Sequence, residues 1–317
     1  MHHKQPPLIC NIDSAISTFP YLPLTEFCFV YKARSKILIP PFPGKLLHGA
    51  FGNALFKNVC RVPGSDCKAC MFKKRCAYAT LFKSQYALKT GHIKNLNNVP
   101  APHIFRFHNQ GIINIPANSE FSLKMVLLGK ASEQVDELFS AMKALGENGI
   151  HNKQAQITAI KQLSCENSLP RYIAHSNDIS LPECPVIPDV PEKVRVEFLT
   201  PYIQTVARQG QAFSIQYWLM GIIRRIAILQ TVYSSLENNS DFVYLKKLSL
   251  MANTSEDELY FYKTSQTEKT YTSGYLGRID LKMKDIEDLW PWLYLGQWVN
   301  CGKKTSHGYG RYSLMSV

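Results

Sequence analysis

No uninterrupted apolar run in the 317 residues approaches the roughly 18 needed to cross a membrane. The most apolar stretch, Phe213 to Val232, carries Arg224 and Arg225 near its middle. The opening MHHKQPP lacks an apolar signal core and a cleavage site, so the chain is expected in the cytoplasm. It also lacks a lipidation signal and an amphipathic lysine-rich helix, which argues against a membrane surface. Acid is scarce at one end. The first 100 residues hold 3 Asp+Glu against 14 Lys+Arg, whereas the rest hold 21 against 22. A near-neutral body with a basic first third fits a polyanion, and nucleic acid is the first candidate; a solubilising basic face is the plain alternative. The 45% hydrophobic and 11% aromatic content excludes a disordered or collagen-like chain, and the length suggests two domains.

Nine cysteines are an odd number, and Cys10, Cys28, Cys165, Cys184 and Cys301 are scattered. The other four, Cys60, Cys67, Cys70 and Cys76, fall within 17 residues. A disulfide framework is not expected without an export signal. Four thiolates so close suit a tetrahedral metal, with Cys67 and Cys70 as a knuckle, and their short, basic segment could not build a core of its own. Structural zinc is the expectation, with an iron–sulfur cluster or plain reduced thiols as alternatives. Four cysteine ligands would leave no open position for catalysis.

Hydrophobic periodicity divides the chain into two similar halves. Phe27–Tyr31 alternates as a strand, and after Pro40, Pro41 and Pro43 a helix is predicted in which Leu47, Phe51, Ala54, Leu55 and Val59 recur at helical spacing. Strands follow at His103–Phe107 and Phe121–Leu128. A helix capped by Ser132 carries the stripe Val135, Leu138, Phe139, Met142 and Leu145, and a closing strand covers Gln156–Leu163. This β-α-β-β-α-β order predicts an α+β, ferredoxin-like domain over 1–163, with the cysteine insertion at about 60–76. Residues 164–193, with five prolines, read as a linker or long surface loop. The order restarts over 194–317: strand 194–199, a long helix from about Ser214 to Leu236, strands at 260–264 and 274–281, a short or kinked helix around Pro291, and a final strand from His307 to Leu314. The fold class is therefore two tandem ferredoxin-like domains with a four-cysteine metal insertion in the first.

The C-terminal LGQWVNCGKKTSHGYGRY sets Gly302, Gly308 and Gly310 around Lys303, Lys304, His307 and Arg311. Glycines let backbone amides curve around a phosphate and the cations add charge; a hairpin turn needing glycine only for backbone geometry is the plain reading. It is not a nucleotide P-loop, because five residues, not four, separate Gly296 from Gly302, and Lys304 follows Lys303. His92, His103 and His108 form no metal spacing and read as solvated or turn residues. Trp218, Trp290, Trp292 and Trp298 read as core, as do Phe105 and Phe107, although an aromatic on that strand could stack an RNA base.

Three stretches carry a family resemblance: PFPGKLLHGAFGNALF running into the cysteine insert and its CAYATLF exit; FLTPY with the long helix; and SGYLGRIDL followed by the glycine-rich run. Together they resemble a CRISPR-associated endoribonuclease of the RAMP superfamily, the kind that processes precursor CRISPR RNA. The resemblance implies CRISPR repeat RNA bound across a basic face, metal-independent cleavage within the repeat, and other CRISPR effector subunits as partners. It further implies His48, in the first helix, as acid or base, with Tyr31 as partner and Lys45 as the cation. Lys57 is the substitute cation and joins Lys303, Lys304, Arg311, His307 and the three glycines as RNA-binding. His307 is also the rival base, because it lies where phosphates would be held. A non-catalytic RAMP subunit that holds guide RNA shares the glycine-rich signature, and a zinc-containing nucleic-acid-binding regulator is a third alternative.

Overall fold

The computed structural model describes residues 16–17, 19–87, 99–107, 109–150, 153–165, 169–204, 212–234, 236–263 and 273–317. Cys10, His92, His108 and the Thr264 end of one expected strand lie outside the described residues.

The period-two pattern of the first long strand sorts its faces. In β1 (Leu24–Ala33), Phe27, Phe29 and Tyr31 are all fully buried. They face two helices: α1 (Gly44–Val59), which buries Leu47, Phe51, Ala54 and Leu55, and α2 (Val135–Asn148), which buries Leu138, Ala141, Met142 and Leu145. Phe27 and Phe29 meet Phe139 of α2 edge-on, at 5.3 and 5.9 Å. The sheet is completed by β2 (His103–Arg106), β3 (Glu120–Leu128), β4 (Ala155–Leu163) and β5 (Arg171–Tyr172), in the order β2-β3-β1-β4-β5 with every neighbour antiparallel.

The second half repeats the plan with β6 (Lys193–Tyr202), α3 (Ile215–Tyr233), α4 (Phe242–Met251), β7 (Thr254–Lys263), β8 (Ser273–Lys282), α5 (Trp290–Val299) and β9 (Tyr312–Ser316). Its sheet runs β7-β8-β6-β9. Counted within each half, the four principal strands of both sheets take the order 2-3-1-4, with helices after the first and third. The result is a mixed α+β protein with antiparallel sheets. The halves share a core: Leu22, Leu24, Ile104, Val126 and Leu128 join Val196, Trp218, Ile226 and Trp292 in one apolar cluster. Tyr233 at the end of α3 donates its hydroxyl to the Pro100 carbonyl at 2.6 Å, tying the second half to the first.

Several local expectations are corrected. Ser132 caps nothing; it lies in a 3-10 turn, Gly129–Gln134, with its hydroxyl buried and unpartnered, and α2 begins without a side-chain cap. Pro291 does not kink its helix, because it falls in the first turn of α5, where a missing N–H costs no hydrogen bond. The last strand begins at Tyr312, and His307 belongs to a preceding 3-10 turn, Thr305–His307. Helix α4 has no counterpart in the periodicity reading; Asp241 caps it by accepting from the amides of Val243 and Tyr244. The proline-rich segment supplies β5 to the edge of the first sheet, and Glu183 bridges back to Leu24. No helix among the described residues is long and apolar enough to cross a membrane.

Candidate active site

Helix α1 starts where three prolines end, and its first residue is a glycine for a steric reason. The backbone of Gly44 lies so close to the carbonyl of His307 that no β-carbon would fit between them. One turn into α1, Lys45 is exposed and His48 half-buried; three residues apart, they share a helix face. The His48 ring lies flat on that of His307, with centroids 3.8 Å apart and planes within 9°. His48 comes from the first half of the protein and His307 from the C-terminal glycine-rich turn, so the contact spans the seam between the halves.

A third imidazole backs the pair. His103, on β2, is fully buried, with its ring 5.2 Å from that of His48. Its Nδ1–H donates to the Leu81 carbonyl at 3.0 Å, and its Nε2 is buried without a partner. The solvated role expected for His103 is therefore corrected. Alternation along β2, which also buries Phe105, was the signal that could have found it. Phe82 closes the cluster, 4.5 Å from His48 and 4.9 Å from His103.

Burial pushes all three imidazoles toward the neutral form. His48 is lowered to about 2, by burial and then by His103 and His307. His103 is lowered to about 3, chiefly by burial, against the opposing bond to Leu81. His307 is lowered to about 4, by burial and then by Lys304 and Lys45. At neutral pH the seam thus presents neutral proton acceptors flanked by two cations. Ser306 Oγ lies 3.3 Å from His307 Nδ1.

Other sequence-derived candidates fall elsewhere. Tyr31 is fully buried under α2, its hydroxyl donating to the Met142 carbonyl at 2.8 Å and its ring stacked on Phe121 at 5.3 Å. Burial raises its hydroxyl pKa, and Tyr31 belongs to the apolar core of the first half. Lys57 is exposed on the far end of α1, about 13 Å from His48 along the axis at 1.5 Å per residue. Lys303 and Lys304 are exposed on the turn. Arg311 turns inward: its guanidinium donates to the Phe107 carbonyl at 3.1 Å, and burial and nearby Arg106 lower it to about 10.

The loop amides expected to cradle phosphate are largely engaged within the protein. The N–H groups of Lys303, His307, Gly308 and Gly310 donate to Ile203, Lys304, Thr305 and Pro201. Gly308, at φ 90°, packs against Phe107 and the Phe105 carbonyl, and Gly302 and Gly310 also have positive φ. These glycines shape the turn that carries His307.

Cys60, Cys67, Cys70 and Cys76 line one concavity with Arg61, Arg75 and Tyr78. Burial, and after it the neighbouring Cys76, Cys60 and Cys70, push the Cys67 thiol up. Among the described residues, however, no three His, Cys, Asp or Glu side chains are arranged to hold a metal ion. The donor chemistry suits a thiophilic metal, while the insertion as folded is not a closed cage.

Residues 22–186 match a family model described as an N-terminal domain, and residues 196–312 match that of the CRISPR-associated endoribonuclease Cas6. Over 283 residues the chain is 21% identical to an uncharacterized protein of Archaeoglobus fulgidus, across 88% of this chain and 93% of that one. Thermus thermophilus Cas6 is similar with a TM-score of 0.52 at 14% identity, covering 93% of this chain and 99% of that one. A chain of a partial Cas6-RT-Cas1–Cas2 complex is similar with a TM-score of 0.59 at 11% identity, covering 95% of this chain and 47% of that one. A RAMP protein described as binding different RNA substrates aligns with a TM-score of 0.50 at 10% identity, over 92% and 99%. At these identities the solved structures speak for the fold, while the family matches run through both halves. The second half of the chain thus carries the match to the CRISPR-associated endoribonuclease Cas6, and the whole chain shares the fold of solved Cas6 structures.

Proposed function

We propose that this protein binds CRISPR repeat RNA and cuts precursor CRISPR RNA within the repeat by attack of the RNA's own 2′-hydroxyl, without a catalytic metal. The observation that carries the reading is His48 at the seam, stacked on His307, whose own surroundings include Lys45 and Lys304. RNA supplies the nucleophile, so the protein needs only to align it with the scissile phosphate and move protons. A neutral His48 can take a proton at the reacting oxygens, and Lys45, one turn away, can stabilise charge gathering on the phosphorane. Exposed Lys57, Lys303 and Lys304 then hold flanking phosphates. Tyr31 has no part in the step.

Each half is read as a ferredoxin-like domain, tandem in the chain, with support from the shared 2-3-1-4 strand order. Zinc is the proposed occupant of the insertion. It would be held by Cys60, Cys67, Cys70 and Cys76 and would supply folding energy to a segment without a core of its own. The proposed partners are repeat RNA and other CRISPR effector subunits, in the cytoplasm.

The test is incubation of purified protein with end-labelled repeat RNA in excess chelator. Fragments ending in a 2′,3′-cyclic phosphate and a 5′-hydroxyl are expected, and a 2′-deoxy substitution just upstream of the cut should block the reaction. Tight binding with no cleavage by the wild-type protein would favour the non-catalytic RAMP scaffold instead.

A further inference from the structure

We infer that His307 is a second proton-transfer residue of the cleavage reaction, acting with His48 as a two-imidazole unit that exists only where the two halves meet. The inference rests on the nuclease reading above and deepens it. Its ground is geometric. Two half-buried rings lie parallel at 3.8 Å, one carried by α1 and the other by the C-terminal turn. The missing β-carbon of Gly44 lets the helix close directly onto the His307 backbone. The positive φ of Lys304 and Gly308 bends the turn so that its ring faces inward. Ordinary packing at a seam calls for apolar side chains; here two imidazoles are stacked, with Lys45 and Lys304 close enough to act on His307.

Transesterification of RNA needs two proton transfers at two different oxygens. The 2′-hydroxyl gives its proton to a neutral imidazole as the O2′–P bond forms. The P–O5′ bond breaks, and the departing 5′-oxygen takes a proton from an imidazolium. The two oxygens sit at opposite apices of the phosphorane, so one group must take a proton at one apex and another give a proton at the other. His48 is assigned as the base and His307 as the acid. One proton leaves the 2′-oxygen and one arrives at the 5′-oxygen, and exchange with water resets the pair.

The groups facing the pair explain how His307 would acquire its proton. Lys45 comes from α1, Lys304 and Ser306 from the turn, and neutral His103 from β2. Burial, and after it the two lysines, oppose charge on His307 in the free protein. A bound phosphate offsets them, so the substrate itself favours protonation of the acid. Ser306 occupies Nδ1, which leaves Nε2 for the leaving oxygen.

The experiment uses the full chain and two RNAs: the repeat, and the same repeat with a bridging 5′-sulfur at the cleaved bond. A thiolate leaves without being protonated, so only loss of the acid is rescued. His307→Ala is expected to slow ordinary RNA on the order of 10² to 10⁴-fold with little change in affinity, and to regain most of that rate on the sulfur substrate. His48→Ala is expected to be slow on both. His307→Gln, which keeps a polar side chain on the turn, should behave like His307→Ala while melting like the wild type. Wild-type rates for both His307 variants, or equal slowing on the two substrates, would overturn the inference and leave the nuclease reading standing. If the wild type cuts neither RNA, the nuclease reading itself falls and takes this inference with it.

Discussion

The hydroxyl of Tyr31 donates to the carbonyl of Met142 at 2.8 Å, pinning β1 to α2 across a fully buried contact. Tyr31→Phe strands that carbonyl and is expected to cost about 1–2 kcal/mol of stability, seen as a lower urea midpoint. Its cleavage rate and RNA affinity should match the wild type. A large rate loss without a stability loss would return Tyr31 to the chemistry.

Asp280 is fully covered and lies opposite Arg195 across β6 and β8, with bonds of 2.7 and 2.8 Å to Arg195 and 2.7 Å to Lys193. Those cations hold its carboxyl well below the usual carboxylate range. A depressed folded-state value stabilises the protein above the unfolded pKa, and the contribution disappears as pH falls through about 4 and below. Asp280→Asn should therefore lower Tm at pH 7 by an amount equivalent to about 1.5–3 kcal/mol, with the gap to the wild type narrowing toward pH 3. A constant gap across that range would contradict the assignment.

Exposed Lys303 and Lys304 extend from the turn beside His307. For a single strand each neutralised phosphate adds about −0.7 to the slope of log K against log salt. Replacing both lysines by glutamine should make that slope shallower by about 1.4 as binding weakens. An unchanged slope in a filter-binding titration would place the RNA away from this turn.

Gly308 sits at φ 90°, and a β-carbon there would lie 2.5 Å from the Phe107 ring and 2.6 Å from the Phe105 carbonyl. Gly308→Ala should cost about 1–3 kcal/mol from backbone strain and displace His307, so cleavage should fall further than affinity. Affinity falling as much as rate would show that the glycine meets RNA directly.

One zinc per chain is expected in protein purified without added metal, measured by elemental analysis. Cys67→Ser should lose that zinc and lower Tm more than it slows cleavage. Iron with visible absorbance near roughly 400 nm would instead identify a sulfide-bridged cluster.

Much of the fold is written locally. Strand alternation in Phe27–Tyr31 and the helical stripe from Val135 to Leu145 survive in the structure because burying an apolar face requires those periods wherever the element docks. Helix α4 escaped notice because Phe242, Val243 and Tyr244 are partly exposed and blur its apolar stripe, although Asp241 is an ordinary cap. Arg311 and Tyr31 each donate to a backbone carbonyl, a placement that composition and spacing cannot foretell.

The amino-acid order alone determined the two α+β halves, the family signature and the basic first third, since each depends on neighbours along the chain. The pairing of His48 with His307 was decided only in three dimensions. Those residues lie near opposite ends of the sequence and meet because the two halves bury a common apolar cluster, which brings Gly44 against the C-terminal turn. For His103 the strand alternation could show burial, while its place beside His48 depends on the closed seam.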